Sequence, residues 1–191
     1  LTTLTAKSLS APEAIIEEYR LQGFHSISLR PLSPYGFARK TAHRIGYTMR
    51  DFLAFYRKAL DAIIQLNADG YALEETHASL LLTQLLTPFS HGYVDLRSPM
   101  GAGVGAVVYD YDGRVYPSDE ARMLAAQGED RFCLGNLDQS VHEWLTSPAM
   151  QELQAGGVAE ALPGCSDCAY VPLCGADTVD HFARQGDVIG H

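Results

Sequence analysis

The chain has few cysteines, few basic residues and no long apolar segment. Its 191 residues include 4 cysteines, 1 tryptophan and 14 Lys and Arg against 23 Asp and Glu, which gives a formal charge of −9. This charge argues against binding to nucleic acid or to an anionic membrane surface, since both require a basic surface. The longest apolar run, residues 79–86, is interrupted by polar side chains and is too short to cross a bilayer. No secretory segment is visible, so we expect a soluble, cytoplasmic protein with reduced thiols.

Three of the four cysteines form a C-x2-C-x5-C motif at Cys165, Cys168 and Cys174. This spacing is typical of thiolates that converge on one zinc ion or on an iron–sulfur cluster. Buried apolar thiols and disulfides are the alternatives, and low cysteine usage without a secretory segment argues against them. The fourth cysteine, Cys133, lies in the hydrophobic stretch Arg-Phe-Cys-Leu, and we interpret it as a core residue.

A closed tetrahedral site needs four protein ligands, so the motif lacks one donor. The segment after the last cysteine offers oxygen and nitrogen donors but no further thiol: Asp177, Asp180, His181, Asp187 and His191. Either one of these side chains completes the site, or a fourth thiolate lies beyond His191. The chain begins without a Met and inside an expected strand, so we expect truncation at both ends.

The first third of the chain has the pattern of a β-α-β unit. Residues 1–5 alternate apolar and hydroxyl side chains like a strand, and residues 10–13 have the spacing of a capping box that opens a helix. Gly23 is placed to end that helix before a second strand at residues 25–30. Strands joined by a helix are normally parallel, so we expect part of an α/β sheet or barrel.

Later segments predict further helices and a hairpin. Alternation around Asp112 and Gly113 is the pattern of a tight antiparallel hairpin. The final cysteine motif lies in a segment that we expect to be rich in loops. The other expected elements are a helix from Thr48 to about Asn67, a short strand at 71–73, a helix at 76–86 and a helix at 138–153.

The order of these features resembles a known domain. A hairpin at 112–117, then Leu-Gly-Asn-Leu at 134–137, a short helix and C-x2-C-x5-C resemble the SPASM domain, which carries auxiliary clusters at the C-terminus of many radical SAM peptide-modifying enzymes. The resemblance covers residues 98–191. The first third is similar to the last β-α-β segment of the partial barrel in those enzymes.

The resemblance implies a fold of the class α/β plus α+β. The expected domains are a barrel fragment at 1–70, a helical linker at 71–97 and a C-terminally truncated SPASM-like domain at 98–191 with a β-hairpin, a helix and a Cys-rich loop. More narrowly, Tyr-Pro-Ser-Asp-Glu-Ala-Arg-Met-Leu and the residues around the cysteines resemble the maturase of the His-Xaa-Ser peptide system.

The same resemblance implies metal cofactors and a peptide partner. Cys165, Cys168 and Cys174 would hold one auxiliary [4Fe-4S] cluster, whose usual fourth cysteine would lie beyond His191. Ser118 and Thr178 stand where a first auxiliary cluster would have cysteines, so that cluster is expected to be absent. The C-x3-C-x2-C motif that holds the catalytic [4Fe-4S] cluster and S-adenosylmethionine is also missing, so the fragment alone should be inactive.

Two functions of different class remain open from the sequence. One is the auxiliary-cluster region of a radical SAM maturase acting on a peptide, and the other is a zinc-stapled structural or interaction module without a redox role. Cutting a barrel also leaves unpaired strand edges, so we expect a possible homodimer through residues 1–5 or 25–30.

Overall fold

The computed structural model describes residues 2–33, 35–89 and 91–190 of the chain. The chain forms two compact units, which are described separately. The first unit comprises Leu1–Ser33 and Phe37–His91, and the second comprises Pro34–Gly36 and Gly92–His191. No helix in the described ranges is long and apolar enough to span a membrane.

Short parallel strands form the sheet of the first unit. They are β1 (Thr2–Thr3), β2 (Ser26–Ile27), β3 (Leu29–Arg30) and β4 (Glu74–Glu75). Strand β1 pairs with β3 and β4 pairs with β2, both in parallel, so the hydrogen bonds form two two-stranded ladders. Because only Ser28 separates β2 from β3, residues 26–30 form a central strand between β1 and β4. The predicted parallel β-α-β unit is confirmed, whereas the strand predicted at 71–73 lies slightly later, in β4.

Four α-helices lie in the described part of the first unit. They are α1 (Pro12–Leu21), α2 (Gly36–Ile45), α3 (Met49–Ala68) and α4 (Thr76–Leu86), and a 3-10 turn at Ser8–Ser10 precedes α1. The predicted capping box at α3 is confirmed, because the Asp51 N–H donates to Thr48 Oγ1 over 3.2 Å and the Thr48 N–H donates to Asp51 over 3.1 Å. The capping box predicted for α1 is wrong. Its N-cap is Ala11, while the Ser10 hydroxyl donates to the Lys7 carbonyl within the 3-10 turn.

The core of the first unit lies between the sheet and helices α1 and α3. Its apolar side chains come from both strands and helices, as the predicted periodicity requires. The buried members are Leu4, Ile16, Ile27, Leu29, Phe52, Phe55, Ala59, Ile63 and Leu73. Helices α2 and α4 contribute no buried residue to the described structure.

The second unit is built on a three-stranded antiparallel sheet. Its strands are β5 (Val108–Tyr109), β6 (Arg114–Tyr116) and β7 (Gly135–Asn136), with β6 in the middle. The predicted hairpin is confirmed, and Gly113 adopts the positive φ of +86° that a tight turn requires. The Leu-Gly-Asn-Leu segment supplies β7, a strand that the periodicity did not predict.

Four short helices follow in the described part of the second unit. They are α5 (Asp119–Ala125), α6 (Val141–Leu145), α7 (Pro148–Gly156) and α8 (Thr178–Gln185). The single helix predicted at 138–153 is wrong, because Ser147 caps a new helix that starts at Pro148. Helix α8 lies in the segment that was expected to be rich in loops. The main core of this unit contains Tyr35, Val115, Tyr116, Ala121, Leu124, Phe132, Leu134, Trp144, Ala149, Met150, Leu153 and Val179.

Candidate metal site

The three clustered cysteines lie on one series of tight turns. The N–H of Cys168 donates to the Cys165 carbonyl over 2.9 Å, the N–H of Val171 donates to the Cys168 carbonyl over 3.1 Å, and the N–H of Cys174 donates to the Val171 carbonyl over 3.2 Å. Each bond joins residues three apart, which is the spacing of a 3-10 turn. The three cysteines therefore lie on one short run of turns between residues 165 and 174.

Packing holds this cysteine loop at both ends. Cys165 is partly buried against a small apolar cluster of Ala159, Leu162 and Ala176. At the other end, a Cβ atom on Gly175 would lie 1.9 Å from the backbone carbonyl oxygen of Asp95, so only glycine fits. The loop is thus fixed by its flanks.

The donor chemistry of the loop fits a soft metal. Cys165, Cys168 and Cys174 are all free thiols, and the last two are exposed, so their sulfur atoms are available to an iron or zinc ion. Among the described residues, however, no group of three or more His, Cys, Asp or Glu side chains is arranged to hold a metal. The assignment of the three cysteines as metal ligands therefore stays a prediction.

Cys133 lies apart from the cysteine loop. It packs against the main core of the second unit, and its Sγ donates a weak hydrogen bond to the Gly135 carbonyl at 3.4 Å. This placement agrees with the prediction of a core residue. It also makes Cys133 a natural control for the loop cysteines, because it is a free thiol in the same unit.

The segment after Cys174 leads into an acidic helix start. Asp177 is the N-cap of α8 and accepts hydrogen bonds from the N–H groups of Val179 and Asp180 at 2.9 and 3.1 Å. Burial raises the pKa of Asp177 to about 6, and the nearby charges of Asp180 and Glu120 act in the same direction. Asp177 is therefore fixed as a helix cap, whereas the sequence offered it as a possible metal ligand. The spacing Asp-Thr-Val-Asp was the available signal for this cap.

The two histidines among the proposed donors are His181 and His191. His181 lies in α8 with its ring against Gly190, and its Nδ1 atom is buried without a hydrogen-bond partner in the described structure. His191 lies outside the described residues.

The carboxyl edge of the parallel sheet holds a buried carboxylate that sequence reasoning missed. Glu75, at the end of β4, is only 4% exposed. It accepts hydrogen bonds from the Leu29 N–H at 3.1 Å, the Ala78 N–H at 2.7 Å and the Tyr56 hydroxyl at 2.5 Å. Burial and this carboxylate raise the pKa of Tyr56. Glu75 thus joins a strand to two helices at the edge where parallel α/β folds place their ligands.

Comparison with known proteins gives a fold and no family. No family model matches the chain, and no curated protein matches it either. Among solved structures, native anSMEcpe with bound AdoMet is similar, with a TM-score of 0.71 and 17% identity over 98% of this chain and 49% of that chain. The same enzyme with AdoMet and the Kp18Cys peptide has a TM-score of 0.69 and 16% identity over 98% of this chain and 49% of that chain.

These neighbours are structures of an anaerobic sulfatase-maturating enzyme, a radical SAM enzyme with a SPASM domain. At this identity the likeness shows the fold alone. The chain has the mixed α/β fold of part of such an enzyme and spans about half the length of the structures that it matches. The similarity follows the chain through both of its units, since it covers 98% of the residues.

Proposed function

We propose that this chain is the auxiliary-cluster region of a radical SAM enzyme that modifies a peptide. The observation that carries the proposal is the order of its parts: a parallel β-α-β unit, an antiparallel hairpin and a loop with three free thiols, along a chain whose fold matches half of a peptide-maturating enzyme. The solved relatives contain AdoMet and, in two cases, a peptide. The narrower proposal is a maturase of the His-Xaa-Ser peptide system.

In this proposal Cys165, Cys168 and Cys174 hold a [4Fe-4S] cluster, and a fourth donor completes the site. A bound cluster of this type supplies electron transfer or an anchor for substrate. The chain's own contribution is to fix the loop, through the packing of Cys165 at one end and the close contact at Gly175 at the other. The residues given contain no C-x3-C-x2-C motif. In this proposal, S-adenosylmethionine is therefore cleaved at a site in another part of a longer protein.

A zinc-stapled module is the second candidate function. The apolar cluster beneath the cysteine loop has only three buried residues, Ala159, Leu162 and Ala176. A cluster of this size provides little stabilisation, and a structural zinc ion is a common replacement for a missing core. This function needs the same three thiolates but no iron and no redox chemistry.

Anaerobic reconstitution with iron and sulfide tests the proposal. We expect the wild-type chain to become brown with the broad visible absorption of an iron–sulfur protein, and Cys168→Ala to lose that absorption. Cys133→Ala is the matched control, since it removes a thiol from the same unit but not from the loop, and it should load like wild type. Tight binding of zinc with no uptake of iron would contradict the proposal and favour the zinc-stapled module.

The open edges of the first sheet carry a separate proposal of self-association. In the described structure β1 pairs only with β3, and β4 pairs only with β2, so each has an unpaired edge. Such edges readily pair with another chain. The predicted edge at residues 25–30 is wrong, because that segment pairs with β1 and with β4. A dimer through residues 1–5 should be visible by light scattering, and a monomer at high concentration would contradict it.

A further inference from the structure

One arginine of the second unit, Arg97, has no ion pair within the part of the chain that the structure describes. The unit's five basic residues are all arginines, although fifteen acidic residues surround them. Four of the five pair with carboxylates: Arg114 with Asp112, Arg122 with Asp119, Arg131 with Glu152 and Arg184 with Asp180. Among the described residues of this unit, Arg97 alone is the basic residue without an ion pair or a side-chain hydrogen bond.

The Arg97 guanidinium lies against a glycine-rich turn. A Cβ atom on Gly101 would lie 2.2 Å from its Nη2 atom, and one on Gly105 would lie 3.1 Å from the same atom. The turn itself is closed by the Gly105 N–H, which donates to the Gly101 carbonyl over 2.7 Å. A side chain at Gly101 would displace the guanidinium from this place, whereas one at Gly105 would require it to shift by only a few tenths of an ångström.

This arginine lines a cleft of about 600 Å³. The volume is in the range of pockets that hold small ligands. Most of the remaining wall is apolar, with Met100, Val104, Met150, Leu153 and Val158 among the lining residues. A ligand that fills the cleft must therefore carry an apolar group close to the anionic group that pairs with the Arg97 guanidinium.

We propose that this cleft binds the C-terminal residue of a peptide that ends in an apolar side chain and a free carboxylate. The guanidinium fork matches a carboxylate in a bidentate geometry. A C-terminal apolar residue carries its carboxylate and its side chain on one Cα atom, as the shared cleft requires. This inference rests on the proposed function, which makes a peptide the substrate.

The charge of the unit restricts the peptide further. Five basic and fifteen acidic residues give the second unit a net charge of −10, which repels an anionic peptide at long range. The ligand must then have a single carboxylate at its terminus and no net negative charge. Arg97 recognises the terminus, while the acidic surface selects against acidic sequences.

Titration of the ¹⁵N-labelled full chain with matched tripeptides tests this inference. The probes are N-acetylated Lys-Gly-Leu with a free carboxylate, the same peptide as an amide, and N-acetylated Lys-Leu-Asp amide, which carries its carboxylate on a side chain. We expect the free acid to shift the amide signals of Gly101, Gly103 and Gly105 and to bind about tenfold tighter than the amide, the size of effect expected for a charge-assisted hydrogen bond. The Lys-Leu-Asp amide should bind no better than the Lys-Gly-Leu amide.

Variants separate the role of the cation from that of the fold. Arg97→Gln should reduce binding of the free acid to the level of the amide, whereas Arg184→Gln, whose arginine pairs with Asp180, should leave it unchanged. Equal affinity for acid and amide, tighter binding of the Asp-containing peptide, no shifts with any probe, or an unchanged Arg97→Gln would each overturn the inference. Iron loading is measured separately, so a chain that forms a cluster but ignores the free acid loses this inference and keeps the proposed function.

Discussion

The two units differ most in charge and in the length of their helices. The first unit has nine basic and eight acidic residues, a net charge of +1, and the second has five and fifteen, a net charge of −10. Helix α3 of the first unit has 20 residues, whereas helices α5 to α8 of the second have between 5 and 9. Nearly all of the negative charge of the chain therefore belongs to the second unit, which carries the cysteine loop, while the α/β unit is close to neutral.

Truncation of one aromatic core residue in each unit is expected to have the largest effect. Phe55 in the first core and Phe132 in the second are 2% and 1% exposed. Each change to Ala should lower the free energy of unfolding by about 3–5 kcal/mol, because it removes a large buried ring and leaves a cavity. Hydrogen exchange should show loss of protection first in the unit that carries the change. Equal loss of exchange protection in both units, for both variants, would show that the two units do not unfold separately.

The buried carboxylate of the first unit is the next target. Glu75→Ala leaves the Leu29 N–H and the Tyr56 hydroxyl without their acceptor. We expect a loss of about 1–3 kcal/mol for each buried donor left unsatisfied, measured by denaturant unfolding. Glu74→Ala is the matched control on the adjacent, exposed residue and should change stability by no more than about 0.5 kcal/mol. Similar effects of both variants would show that Glu75 does not join the strand to the helices.

A pH-dependent stability is expected in the acidic unit. Because the pKa of Asp177 is raised to about 6 from an ordinary value near 3.8, its protonated form is favoured in the folded state. This contribution is fully present below about pH 3.8 and is lost as the pH rises through about 6. Asp177→Asn keeps a helix-capping side chain without the charge. It should be more stable than wild type by about 1–3 kcal/mol at pH 7.5, with the difference vanishing near pH 4. A difference that is constant with pH would contradict this assignment.

The smallest expected effect compares one motif in both units. Thr48 in the first unit and Ser140 in the second both form capping boxes, at helices of 20 and 5 residues. Replacement of either by Ala should cost about 1 kcal/mol, because an N–H at the helix start loses its acceptor. In exchange measurements, Ser140→Ala should open all of α6, whereas Thr48→Ala should open only the first turn of α3. Equal opening of both helices would show that helix length does not matter here.

The sequence predicted the first unit better than the second, for a physical reason. Helices α3 and α4 are long enough to repeat their pattern over several turns, and both were located within about one residue of their ends. Helices α6 and α8 have 5 and 8 residues, too few for a reliable period, and their start is set by a single capping residue. Helix α2 was not predicted, and it buries no residue in the described structure.

The candidate site was predictable in its residue types but not in its geometry. The spacing of Cys165, Cys168 and Cys174 identifies soft donors on one loop without reference to a fold. Neither the fourth donor nor the convergence of the sulfur atoms follows from spacing, since both depend on contacts from other segments. Glu75 and Arg97 have no sequence signal at all. Their environment is created by Leu29 and Tyr56 in one case and by Gly101 and Gly105 in the other, and only the folded chain brings these residues together.

The central claim is that the cysteine loop of the acidic unit gathers an iron–sulfur cluster. Native mass spectrometry of the anaerobically loaded chain tests it most directly, because the added mass distinguishes a cluster from a single ion. We expect wild type and Cys133→Ala to gain the mass of four iron and four sulfur atoms, and Cys168→Ala to gain none. A gain of one zinc ion, or the same gain in Cys168→Ala as in wild type, would contradict the claim.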